Sequence, residues 1–237
     1  MSKKYSNAVK KGNVVDIYSR QPIKGLNEKQ ERYINMLKNR LVTVSTGAPG
    51  TGKTFIPAAL ATDWILNPDN PIDTLVIIRP PEGPGKSMGY LPGDLNEKLR
   101  VWAGPILSGV EHRLGGGAFA KEKVNNMIKD GRIVLLSLEH IRGHSLDNSM
   151  IILDEAENCT FHELKAVMTR VGLDSRLVIS GDVGQKDIRS HSELETLLRL
   201  TNEYEKLPWS VVSFDIEDCV RSPLVKQFLY LFEDANV

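Results

Sequence analysis

The residues with the clearest chemical purpose are Gly47-Ala48-Pro49-Gly50-Thr51-Gly52-Lys53-Thr54, which fit the pattern G-x-x-x-x-G-K-[ST]. They lie between an apolar run that predicts a strand, Leu41 to Val44, and a segment that predicts a helix, Phe55 to Trp64. Glycines at these spacings let backbone N–H groups turn inward around phosphate oxygens, and the following helix adds the positive end of its dipole. In such a loop Lys53 belongs on the β- and γ-phosphates of ATP and the Thr54 hydroxyl on Mg²⁺. This pattern alone does not separate kinases, GTPases, translocases and switch proteins.

A second group follows the run Met150-Ile-Ile-Leu, which ends in Asp154-Glu155-Ala-Glu157-Asn158. If the run is a parallel strand, its end opens onto the crevice where such sheets bind ligands. Asp154 then holds the Mg²⁺ water shell and Glu155 polarises an attacking water, a pairing that favours hydrolysis over transfer to a second small substrate. A third run, Leu177-Val-Ile-Ser, leads into Gly181-Asp182-Val-Gly-Gln185. Read alone this is a turn. Placed after the other two motifs, Gln185 is a candidate to orient water and Asp182 to support the metal shell.

These motifs need a scaffold of alternating strands and helices. Short β-branched or aliphatic runs occur at Leu41 to Val44, Thr74 to Ile78, Ile133 to Ser137, Met150 to Leu153, Leu177 to Ile179 and Val211 to Phe214. Longer segments separate them, with helix candidates at Phe161 to Arg170 and His191 to Leu200. Unbroken apolar runs alternating with helical segments predict an α/β fold on a mainly parallel sheet. Ahead of this, residues 1–25 are polar, carry Lys3, Lys4, Lys10 and Lys11, and end at Pro22 and Gly25, as expected of a basic flexible arm. Residues 26–237 form the expected domain, opening on a helix with Leu26, Tyr33, Ile34 and Leu37 on one face. The Gly- and Pro-rich stretch from Pro80 to Gly93 is the longest loop candidate.

Composition narrows the partners. The 237 residues include 41% hydrophobic side chains, enough for one packed core. Thirty basic and 30 acidic residues cancel, so contact with nucleic acid requires a local basic surface. Cys159 and Cys219 match no zinc spacing and are expected to be reduced thiols. The N-terminus lacks a signal-like apolar stretch, and no run is long enough to span a bilayer, so a cytoplasmic protein without membrane contact is expected. His112, His140, His144, His162 and His191 have no metal-like spacing as a set, and Trp64, Trp102 and Trp209 suit core packing better than base stacking.

The three motifs together resemble motifs I, II and III of superfamily 1 helicases. The chain is more closely similar to PhoH-like ATPases, through Arg79-Pro80, Gly89-Tyr-Leu-Pro-Gly-Asp-Leu-Asn-Glu-Lys98, Arg142-Gly143-His144-Ser145 and Met168-Thr-Arg170-Val-Gly. The resemblance covers about residues 26 to 235. It implies a RecA-like P-loop core with helices on both sheet faces, ATP hydrolysis, and Asn27 and Gln30 where such proteins read adenine, although the pair also suits an ordinary exposed helix start. Members of the family are linked to RNA or single-stranded DNA unwinding, some are hexameric, and many carry a ribonuclease domain. With only 46 residues ahead of the phosphate loop, a nuclease is not expected within this sequence. Where the family has Arg-Gly-Arg-Thr, this chain has Arg142-Gly143-His144-Ser145, one cation fewer. The resemblance makes Arg79, Lys86, Arg142, Gly143, His144 and Ser145 candidates for nucleic-acid contact, Lys86 being equally suited to a solvated loop.

Helicases of this type clamp ATP between two RecA-like domains, and the second supplies arginines. Only about 50 residues follow the last motif, too few for another α/β domain, so a neighbouring copy in a ring, a hexamer in some relatives, is the expected source. Arg170 and Arg221 are the candidate fingers, and each also suits a surface arginine. The leading functional expectation is therefore an oligomeric, helicase-like ATPase acting on RNA or single-stranded DNA. An ATP-gated protein-interaction switch is the alternative. A small-molecule kinase fits least, because no acceptor lid with clustered arginines is evident.

Overall fold

The computed structural model describes residues 21–80, 95–141, 143, 145–182, 193–204 and 208–235. The chain begins with α1 (Glu28–Asn39), capped by Asn27, whose side chain accepts from the Gln30 N–H at 2.8 Å. Tyr33, Ile34 and Leu37 face inward, as their helical spacing requires. Then follow β1 (Val42–Gly47), α2 (Phe55–Leu66) and β2 (Thr74–Ile78). After these come α3 (Leu95–Trp102), α4 (Gly104–Arg113), α5 (Gly117–Lys129), β3 (Ile133–Leu136) and β4 (Ser149–Leu153). The order closes with α6 (Phe161–Met168), β5 (Arg176–Ser180), α7 (Glu193–Glu203), β6 (Trp209–Phe214) and α8 (Pro223–Asp234).

The strands form one six-stranded sheet in the order β3-β2-β4-β5-β1-β6, and every pairing is parallel. This is the expected α/β fold, and "mainly parallel" becomes wholly parallel among the described strands. Two buried clusters cover the two faces. One joins α1, α2, α4 and α5 to Leu75, Ile77, Met150, Ile152 and Phe214. The other joins α6 and α7 to Val44, Val76, Ile78, Leu153 and Ile179. Strands buried on both faces explain the unbroken apolar runs.

Five of the six strand expectations hold to within a residue or two, β1 runs three residues past its expected end at Val44, and the helix expected to reach Arg170 ends at Met168. Between Lys98 and Arg132, a stretch in which the sequence reading names no particular helix, the structure places most of α3 and all of α4 and α5. Gly109 lies in the middle of α4 because a Cβ would sit 3.0 Å from the Ala58 Cβ, so its absence lets α4 close onto α2. Helix α8 buries none of its residues, leaving Leu224, Phe228, Leu231 and Phe232 about half exposed. Both cysteines are buried and neither forms a disulfide. No helix among the described residues is long and apolar enough to cross a membrane.

Candidate nucleotide site

The site forms where β1, β4 and β5 end on the same side of the sheet. β1 runs directly into the phosphate loop at Gly47, which has φ 105°, and a Cβ there would lie 1.8 Å from the Phe214 carbonyl oxygen. Only glycine permits this approach, which allows the Ala48 N–H to donate to that carbonyl at 3.1 Å. The Thr51 hydroxyl closes the loop onto the Ala48 carbonyl at 2.9 Å, and Thr54 opens α2. Lys53 Nζ lies within the loop, donating to the Ala48 carbonyl at 2.7 Å and to the Gly47 carbonyl. Burial lowers its proton affinity, and the nearby Asp182, Glu157 and Asp154 carboxylates work in the opposite direction.

A polar network that the sequence pattern does not reveal lies beneath the loop. The Tyr33 hydroxyl, fully buried, is 3.2 Å from Ser45 Oγ and 3.0 Å from the Lys53 carbonyl oxygen, and Ser45 Oγ lies 2.7 Å from Ser180 Oγ. It joins α1, β1 and β5 to the backbone of the phosphate-binding lysine. The available signal is a serine near the end of each of two apolar strands, β1 and β5. Gln30 extends the network. Its side chain is 3% exposed, donates from Nε2 to the Thr51 carbonyl at 2.9 Å and accepts from the Leu26 N–H at 2.7 Å. Asn27 is occupied by capping α1. Of the pair expected to read adenine, Gln30 thus supports the loop from below and Asn27 caps the helix that carries it.

The acids arrive on β4. Asp154 is 5% exposed, its N–H donates to the Ile78 carbonyl at 3.0 Å, and its Oδ1 accepts from the Thr54 hydroxyl at 2.9 Å. Burial raises its proton affinity, opposed by the Thr54 hydrogen bond. A carboxylate and a hydroxyl meeting beside the phosphate loop are hard oxygen donors that fit Mg²⁺, which takes few protein ligands and retains water. Glu155 adopts a left-handed conformation, φ 53°, uncommon for a residue with a side chain. Its Oε1 pairs with Arg79 Nη2 at 3.0 Å, and Arg79 Nη1 also donates to the Trp102 carbonyl at 3.0 Å. Arg79, expected to touch nucleic acid, is thus attached to the catalytic-base candidate. Glu157 is a third acid in the cleft; burial, then its hydrogen bond with Glu155, pushes its pKa up to about 8. Gly181 leaves it room, since a Cβ there would lie 2.6 Å from Glu157 Oε2.

Lys53, Thr54, Asp154, Glu155 and Glu157 line one cavity of about 330 Å³ with Asp182 and Arg221. Arg221 corrects an expectation. The ring argument assigns it to a neighbour's site, but it lies in its own: the Val220 N–H donates to the Gly50 carbonyl at 3.0 Å, and a Cβ on Gly50 would meet the Arg221 side chain at 2.8 Å. Arg170 is elsewhere. It follows α6, and its carbonyl accepts from the Leu146 N–H at 2.9 Å beside the Leu146–Val171 bridge, near the starting ends of β4 and β5. Its Nε is buried without a hydrogen-bond partner. Ser145 is exposed next to that bridge, and Gly143 precedes it with φ 87°. Gln185, Lys86, Arg142 and His144 lie outside the described residues.

A wholly parallel sheet with a phosphate loop after β1 and an aspartate on the loop threonine defines the P-loop ATPase-type class. The PhoH-like protein family model matches residues 22–233, and the chain belongs to that family. It is 32% identical over 210 residues to the PhoH-like protein of Synechocystis sp., covering 88% of this chain and 61% of that one. Protein PhoH of Escherichia coli K12 is 31% identical over 223 residues, covering 93% of this chain and 61% of that one. The chain therefore spans about three fifths of the length of these curated relatives. Among solved structures, the large terminase of a thermophilic bacteriophage superposes with a TM-score of 0.53 at 9% identity, covering 87% of this chain and 50% of that one. That likeness is one of fold.

Proposed function

We propose that this chain hydrolyses ATP with Mg²⁺ and applies the energy to RNA or single-stranded DNA as a ring-like homo-oligomer. The observation that carries the ATPase reading is the 2.9 Å hydrogen bond from Thr54 to Asp154, which joins the phosphate loop to the β4 acids in one cavity. In this reading the loop N–H groups and Lys53 hold the β- and γ-phosphates, and Thr54 and Asp154 hold Mg²⁺, which supplies charge neutralisation for phosphoryl transfer. Glu155 orients and deprotonates the attacking water, Gln185 is a candidate helper by its motif alone, and Arg221 stabilises charge on the γ-phosphate from within the same chain.

The nucleic-acid and ring elements rest on family membership and motif placement. Arg170, lying away from its own site near the starting ends of the strands, is the remaining candidate to serve a neighbouring copy. The test is ATPase activity of the full chain with and without single-stranded RNA and DNA, beside its mass in solution, with Lys53→Ala as control. Mixing Arg170→Ala with Lys53→Ala subunits tests supply between copies: no activity recovered at any ratio counts against it. A second reading, an ATP-gated protein-interaction switch, is favoured by the half-exposed apolar residues of α8. Slow ATPase activity with no nucleic-acid binding would select it.

A further inference from the structure

Arg221 does not belong to an element that could place it unaided. After β6 ends at Phe214 the chain makes a tight turn, in which the Asp215 N–H donates to Asp218 Oδ2 at 2.9 Å and the Asp218 N–H to the Asp215 carbonyl at 3.0 Å. Two attachments hold this turn to the rest of the site. One is the Val220 N–H on the Gly50 carbonyl at 3.0 Å. The other comes from α1, where Lys29 Nζ lies 2.6 Å from Asp215 Oδ2 and 2.7 Å from Asp218 Oδ2. Asn27 Nδ2 adds a long contact to the Asp218 carbonyl at 3.5 Å.

These contacts give the first turn of α1 two roles on the two sides of one cleft. Gln30 supports the phosphate loop through Thr51, while Lys29, one residue earlier, clamps the turn that precedes Arg221. Without the ammonium, the carboxylates of Asp215 and Asp218 would repel one another across a turn that depends on their closeness. The Asp218 arm of the bridge is partly shielded from water, with the Asp218 side chain 11% and the Lys29 side chain 28% exposed, whereas the Asp215 side chain is 71% exposed. Hydrogen bonds to Asp215 and then Asp218 raise the proton affinity of Lys29, so the cation persists throughout the neutral range.

We propose that Lys29 is a positioning residue for Arg221: by bridging Asp215 and Asp218 it fixes the turn that presents the guanidinium to the nucleotide cavity. The proposal rests on the ATPase reading above and adds Lys29 to it, a residue that reading does not use and that lies far from Arg221 in the chain.

The test compares Lys29→Met, Lys29→Arg, Arg221→Ala and the Lys29→Met/Arg221→Ala double variant in the full chain, measuring kcat, KM and thermal melting. Expected are a fall in kcat on the order of tenfold for Lys29→Met with a smaller change in KM, and substantial recovery in Lys29→Arg. The double variant should be no slower than Arg221→Ala alone. Unchanged kcat in a folded Lys29→Met protein, or losses that multiply in the double variant, would overturn the proposal. If Lys29→Met does not fold, Asp218→Asn with and without Arg221→Ala gives the same readout. If the wild-type chain hydrolyses nothing, the ATPase reading fails by itself. Affinity for a non-hydrolysable ATP analogue then decides: equal, non-additive weakening by Lys29→Met and Arg221→Ala supports positioning, and unchanged affinity in Lys29→Met refutes it.

Discussion

Arg79 Nη2 stands 3.0 Å from Glu155 Oε1, so the cation following β2 neutralises the carboxylate following β4. The pair spans adjacent strands of the sheet, and Glu155 itself has a left-handed backbone conformation that costs about 1 kcal/mol or more. Arg79→Ala should therefore lower basal ATPase turnover by about tenfold or more while ATP affinity changes little. Steady-state kinetics without nucleic acid is the check. Full basal turnover with lost strand binding would instead make Arg79 the nucleic-acid contact its motif position suggests.

The Thr54–Asp154 contact predicts the metal dependence. Asp154→Asn retains a side chain able to accept from the Thr54 hydroxyl but removes the charge that Mg²⁺ requires. Turnover should fall by about a hundredfold or more, and Mg²⁺ should no longer strengthen ATP binding. Nucleotide titrations with Mg²⁺ and with EDTA measure this directly, and a retained Mg²⁺ effect would remove Asp154 from the metal site.

Because the amide of Gln30 is engaged by Thr51 and Leu26, Gln30→Ala should act on stability and not on base choice. Leaving the Thr51 carbonyl and Leu26 N–H without that partner costs about 1–3 kcal/mol. The melting temperature should fall by about 2–4 °C for each kcal/mol lost. The ratio of kcat/KM for ATP over GTP should remain as in the wild type. A collapsed ratio would restore Gln30 as the adenine reader.

Glu157 imposes a pH dependence of defined sign. Its pKa is raised from 4.5 to about 8 in the folded chain, chiefly by burial. Across that window the folded chain retains a proton that the unfolded chain has released, so stability falls as pH rises. Glu157→Gln removes the ionisation while keeping hydrogen-bonding capacity. The melting-temperature advantage of the variant should widen from about pH 5 to about pH 8. A constant difference across the range would show that Glu157 does not titrate there.

The phosphate loop, the β4 acids and the wholly buried strands are legible in the sequence because each is a local pattern. A loop that wraps phosphate needs glycines at set intervals, and a strand buried on both faces needs an unbroken apolar run. Helix α4 is less legible because Gly109 within it reflects packing against Ala58, and such a neighbour is not written locally.

Three features are decided only by tertiary structure. The sequence marks Arg221 as an arginine suited to γ-phosphate, but its assignment to another copy is reversed because the turn after β6 folds back onto Gly50. Arg79, a nucleic-acid candidate by its motif, is paired with Glu155 because β2 and β4 are adjacent in the sheet although far apart in sequence. Tyr33 and Gln30 are supports of the phosphate loop, since α1 packs beneath β1. What the sequence by itself determined was the kind of chemistry, because residue type and spacing set which groups can bind phosphate and metal. Which groups face one another across the cleft was determined by strand order and helix packing, which arise from long-range burial.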